Sequence, residues 1–229
     1  MSYHSDSRDA LIPKKPISAD AEEFSKKVHG LLDGKAKDEA TVASALHGVD
    51  DVLDVIAAGL YNLASMLVGE GEDSVRLIET AVARTEISEC NDVQKARMNN
   101  RSALCTAAID LIAERNPGSL AAPEWVQHAT TCIEDDDLES AGISRGDLER
   151  MLAGPNRENV KNWIESLSTP TRVVFVLRAV AGFTADETAM MLTEHGGKGA
   201  GNWNPDMVRE TFRQGLCSLA SQLIHATTK

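Results

Sequence analysis

The feature that most restricts the architecture is the spacing of apolar residues. Val49, Val52, Leu53, Ile56, Leu60, Leu63 and Leu67 recur at i, i+3, i+4 and i+7 without a break, which is the signature of one buried helical face. Similar stripes return down the chain, and no stretch alternates apolar and polar residues with the period of two that a half-buried strand needs. The sequence therefore predicts an all-α protein. With 42% hydrophobic and 25% charged residues, the chain has material for a core and for a solvated surface.

Local signals divide the chain. Residues 1–17 carry Pro13 and Pro16 among polar residues and read as a loose arm. Ser18 begins a helix closed by Gly34, Asp38 a shorter one ending near Gly48, and the 49–68 stripe ends at Gly69 and Gly71. Asp73 or Ser74 then caps a helix burying Val75, Ile78 and Val82. A further helix runs from about Asn99 to Arg115, with Leu104, Ala108, Leu111 and Ile112 inside, and Pro117-Gly118 stops it. Residues 18–116 thus form one helical domain. Residues 117–159 read as an acidic, partly helical connector. In it, Pro123 opens one short helix, and Ser144, with Asp147 in the first turn, opens another. The final domain, 160–229, holds the clearest punctuation. Thr169-Pro170 starts a helix that Gly182 ends, Thr184 and Glu187 form a capping box, and Asn204-Pro205 starts a long helix through Val208, Phe212, Leu216 and Leu219. Helix, turn, short helix, turn, long helix is a helix-turn-helix layout.

Charge argues against several roles. The net charge is −12, with 23 Lys+Arg against 35 Asp+Glu, so general attraction to polyanions is not expected. No apolar run approaches the roughly 20 residues of a membrane span. The first ten residues show no basic stretch followed by an apolar one, so the expectation is a cytoplasmic protein whose four cysteines (Cys90, Cys105, Cys132, Cys217) are reduced and mostly buried. His128 and Cys132 share a helical face, but zinc needs three or four ligands, so no metal site is expected. Glu134–Asp137 lacks the glycine and spaced ligands of a calcium loop and reads as a solvated helix end. The glycine-rich loop 195–201 contains Lys198 but has no following Ser or Thr and no preceding strand; it reads as flexible rather than phosphate-binding. No nucleophile setting, catalytic residue or cofactor motif is present, which predicts a protein that is not an enzyme.

The run from Leu167 to Leu192, with Arg172, Val174, Phe175, Leu177, Arg178, Gly182, Thr184, Glu187 and Ala189 at fixed offsets, resembles region four of the bacterial extracytoplasmic-function (ECF) RNA polymerase sigma factors. A weaker run, Leu60, Tyr61, Leu63, Ala64, Leu67, Gly69, Asp73, Leu77 and Ile78, is similar to region two of the same family and precedes the first, as the family requires. The resemblance implies a region-two-like and a region-four-like helical domain, and transcription regulation as the role. It implies RNA polymerase core or an anti-sigma-type protein as partner, with Leu60, Tyr61, Asp73, Leu77 and Arg84 in the contacting helix pair. It also places Arg209 and Arg213 where promoter DNA would be met. The family's recognition helix is dense in Arg and Lys, whereas this one keeps only those two cations and adds Asp206 and Glu210. The family's region-two helix continues with an acidic position and Gln-Glu where this chain has Arg76, Glu79 and Thr80. These departures predict that protein contacts dominate and DNA binding is weak. A working sigma factor that binds core polymerase and promoter DNA is the alternative, and a helical ligand-binding domain or enzyme the outside reading.

Overall fold

The computed structural model describes residues 59–84, 93–123, 132–155 and 157–227. The chain divides into two compact units, Met1–Gly48 and Val49–Lys229, and every described residue belongs to the second. The expected arm 1–17, the helices begun by Ser18 and Asp38, the first part of the 49–68 stripe and the helix after Pro123 lie outside the described residues.

All regular structure among the described residues is helical, and no strand occurs there. Helix α1 spans 59–68 and buries Leu60, Leu63, Ala64, Met66 and Leu67, the second half of the long stripe. Gly69 and Gly71 then adopt φ of 89° and 125°, a left-handed turn that side chains with a Cβ rarely take. The Ser74 hydroxyl donates to the Gly69 carbonyl at 2.5 Å and fixes the entry of α2, Glu72–Arg84. Its core face is Leu77, Ile78 and Ala81, one register away from the expected Val75, Ile78 and Val82. Helix α3, Val93–Arg115, starts six residues earlier than the periodicity indicated and packs along α2. Ile109 is fully buried there, while Leu111 is only half-buried.

Caps set the next boundaries as read from sequence. Ser144 and Asp147 make a reciprocal capping box at the start of α4, Arg145–Ala153. Helix α5, Arg157–Ser166, buries Val160, Trp163 and Ile164. Helix α6, Thr169–Phe175, is capped by Ser168 rather than Thr169, with Pro170 in its first turn. Its last stretch, Val176–Ala181, widens into a π-turn that Gly182 ends at φ 87°. Any Cβ at Gly182 would lie 2.5 Å from the Arg145 guanidinium, and Arg145 Nη2 donates to the Val180 carbonyl at 3.1 Å. Position 182 thus needs glycine for its left-handed backbone, whereas the Arg145 guanidinium, the end of a flexible and half-exposed side chain, can move aside. Thr184 and Glu187 form the second capping box, opening α7, Ala185–His195. Helix α8, Pro205–Thr227, starts where Asn204 Oδ1 accepts from the Met207 amide at 3.0 Å.

The core of this part is aromatic. Phe175 is completely buried, meets Trp163 edge-on with ring centroids 5.0 Å apart, and lies 5.7 Å from Phe212 on α8. Trp163 Nε1 donates to Ser218 Oγ at 2.9 Å, which satisfies the one polar atom of that ring. Helix α8 packs on both α6 and α7, and α7 packs on α3. The glycine-rich loop is not loose: the Gly199 carbonyl accepts from the Ala122 amide at 3.1 Å, and Trp203 Nε1 donates to the Leu120 carbonyl at 2.8 Å. The seams expected at 116/117 and 159/160 fall within this one unit, where Lys161 on α5 also pairs with Glu70 ahead of α2 at 2.8 Å.

Candidate functional site

The same spacing that buries Val208, Phe212, Leu216 and Leu219 of α8 sets Arg209 and Arg213 on its flank, one turn apart. Neither guanidinium stands alone. Arg209 Nη1 donates to Asp206 Oδ1 at 2.6 Å, and Arg213 Nη2 donates to Glu210 Oε2 at 2.6 Å. These are the two carboxylates of the first half of the helix.

A second set of acceptors comes from far away in sequence. Segment 132–137 runs beside the first half of α8, where the Glu134 carbonyl accepts from Arg213 Nη1 at 3.0 Å. Asp136 Oδ2 accepts from Arg178 Nη2 at 2.7 Å and lies 4.0 Å from Arg209 Nε. The Asp136 carbonyl also accepts from Arg178 Nη2, at 3.1 Å. Arg178 is held by two further contacts: its guanidinium sits 5.1 Å from the Phe212 ring centroid and Nη1 donates to the Phe183 carbonyl at 3.3 Å, and its side chain is only 17% exposed. Partial burial lowers the effective dielectric around the Arg178–Asp136 pair, so it is the strongest electrostatic tie of the segment. Ile133 and Leu138 are buried at either end of the run.

Covalent chemistry fixes the same segment. Cys132 and Cys217 form a disulfide with Cα atoms 5.7 Å apart, which corrects the expectation of reduced thiols for this pair. Their 85-residue separation gave no spacing cue, because connectivity is set by the fold. Cys105 is free and buried in α3, and burial pushes its thiol well above the ordinary range. Cys90 and His128 lie outside the described residues. Among the described residues no group of three metal-ligating side chains converges. The run Glu134–Asp137 is also not the simple solvated helix end expected: Asp136 and Glu134 hold arginines, and Asp137 accepts from the Ser140 amide and hydroxyl, which lowers its pKa.

The residues expected to meet a protein partner separate into two groups. Leu60 and Leu77 are each 4% exposed and pack in the core. Tyr61 and Asp73 are half-buried, and Arg84 is exposed at the end of α2. Asp73, Leu77 and Arg84 line a groove between α2 and α3 together with Asp110 and Arg115. Across it, Arg115 grips Asp73 through both carboxylate oxygens, and the guanidinium holds the Asp73 carboxyl below its ordinary pKa. Leu60 and Tyr61 are not part of that groove. His195 Nδ1 of α7 lies 2.9 Å from Oδ1 of the same Asp110.

The chain matches no protein-family model, no curated protein and no solved structure. No helix among the described residues is long and apolar enough to cross a membrane.

Sequence reasoning reached Arg209 and Arg213 and noted Asp206 and Glu210 on the same helix. It missed Arg178, Asp136, Glu134 and the disulfide. The only available signal was charge: residues 117–159 sum to −6 while 160–229 sum to +1, a complementarity that does not say which carboxylate meets which arginine.

Proposed function

We propose that this chain regulates transcription as a divergent sigma-like helical protein that works mainly through protein contacts, with RNA polymerase core or an anti-sigma-type protein as partner. The reading rests on the ordered resemblance of two runs to sigma regions two and four. One structural observation supports the weak-DNA half of it: Arg209 and Arg213, the two arginines of the recognition-helix-like α8, each carry a carboxylate partner at 2.6 Å. Phosphate contacts supply much of duplex affinity, and an arginine already neutralised within its own chain releases little from the ion atmosphere of DNA. The groove between α2 and α3, with Arg84 at its open end, is the proposed partner surface.

Purified full-length protein should co-elute with core polymerase or with a purified anti-sigma-type regulator in size-exclusion chromatography. Duplex DNA should bind weakly, with a log–log salt slope no steeper than about −2. Failure to engage either class of protein would remove the reading. Tight duplex binding with a steep salt slope would replace it by the working sigma factor.

A further inference from the structure

The cysteine bridge and the arginine-holding acceptors belong to the same six residues. Cys132 is tied to Cys217, two residues later the Glu134 carbonyl holds Arg213, and two residues later again Asp136 holds Arg178 and faces Arg209. Arg209 and Arg213 are the cations of the first half of α8, and Arg178 adjoins them through Phe212. An anionic strap therefore occupies the positions that the oxygens of a phosphodiester backbone take when a helix presents arginines to nucleic acid.

We propose that Cys132–Cys217 is a redox latch that holds this strap over α8, and that reducing it frees Arg213 Nη1 for phosphate while Nη2 stays on Glu210. The nucleic-acid part rests on the functional reading above; the latch does not. Cys132 is exposed and Cys217 half-exposed, so a thiolate has access to the bond, as exchange requires. The step balances with a dithiol as reductant. Its first thiolate attacks one sulfur to give a mixed disulfide, and its second thiol closes the reductant's own disulfide. Two electrons and two protons thus pass to Cys132 and Cys217, which become free thiols. The attachments differ in what they lose. The Glu134 carbonyl lies two residues from the latch, with the buried Ile133 as the one apolar anchor left to it, so its hold on Arg213 loosens when the bond opens. Asp136 is backed by the buried Leu138, and Arg178 by Phe212 and the Phe183 carbonyl, so that end stays seated.

The test is arginine-selective labelling of the full chain with phenylglyoxal, oxidised and after dithiothreitol, read by peptide mass spectrometry while circular dichroism confirms that the helices persist. Labelling of Arg213 should rise about tenfold on reduction, the size expected when a hydrogen bond to a charged donor is lost, and labelling of Arg178 should not change. The Cys132→Ser chain should show the high Arg213 labelling without reductant and no further response to it; Cys217→Ser supplies the same check should that variant fold poorly. No change at Arg213, or an equal rise at Arg178 and Arg115, overturns the latch. Titration of a short duplex in the two redox states tests the other layer separately. Tighter, more salt-dependent binding after reduction supports phosphate as the ligand. An Arg213 that is uncovered without any gain in duplex affinity overturns the nucleic-acid reading and leaves the latch standing.

Discussion

Phe175 shows how much a single side chain can decide. It is completely buried between Trp163 and Phe212, and a Cβ placed on Gly215 of α8 would stand 3.0 Å from its ring. Helix α8 thus approaches α6 closely because residue 215 has no side chain. Removing the ring leaves a cavity that three packed helices cannot easily close, so Phe175→Ala should cost about 3–5 kcal/mol of unfolding free energy. Chemical denaturation measures this, and a loss below about 1 kcal/mol would contradict the packing described. Phe175 was legible in the sequence because it is the centre of five consecutive apolar residues, Val173 to Leu177, all of which are buried. Arg178 was not: its neighbours along the helix gave no hint that a guanidinium one turn past that ring would be shared between Phe212 and a carboxylate 42 residues away.

At the level of the element, caps were the most readable feature and internal register the least. The boxes at Ser144/Asp147 and Thr184/Glu187 stand where sequence placed them, because a short polar side chain and an acid three residues on satisfy amides that no other nearby group can reach. The face of α2 was misread by a residue. Val75 and Val82 fit the period as well as Leu77 and Ala81, and only packing against α3 decides between them. The box on α7 also carries a pH signature. Hydrogen bonds from the Thr184 amide and hydroxyl hold the Glu187 carboxyl below its ordinary value of 4.5. A carboxyl depressed in the folded state adds stability above its unfolded pKa and loses it as pH falls through the folded one. Urea midpoints should therefore drop as pH goes below about 4.5, and Glu187→Gln should flatten that part of the profile. A profile unchanged by the substitution would show that the box contributes nothing to acid sensitivity.

At the scale of the molecule, the helical architecture of the described residues was evident from periodicity, whereas the long-range ties were not. The bridge between 132 and 217, the pair of Lys161 with Glu70 and the seat of Trp203 on Leu120 each join segments 83 to 91 residues apart, and no local pattern encodes such meetings. The bridge is the most consequential of them for stability. In the chain-entropy account, a cross-link enclosing this much chain stabilises by about 4–5 kcal/mol. Thermal unfolding followed with and without reductant should show the reduced protein melting lower by roughly 10 °C or more; equal melting temperatures would place the stabilisation elsewhere. Helices α4 to α7 all lie between the two bridged residues. With the bond closed, that stretch is a loop with no free end, so a protease that cuts once anywhere inside it leaves a single covalent molecule. The two pieces separate only when a thiol is supplied.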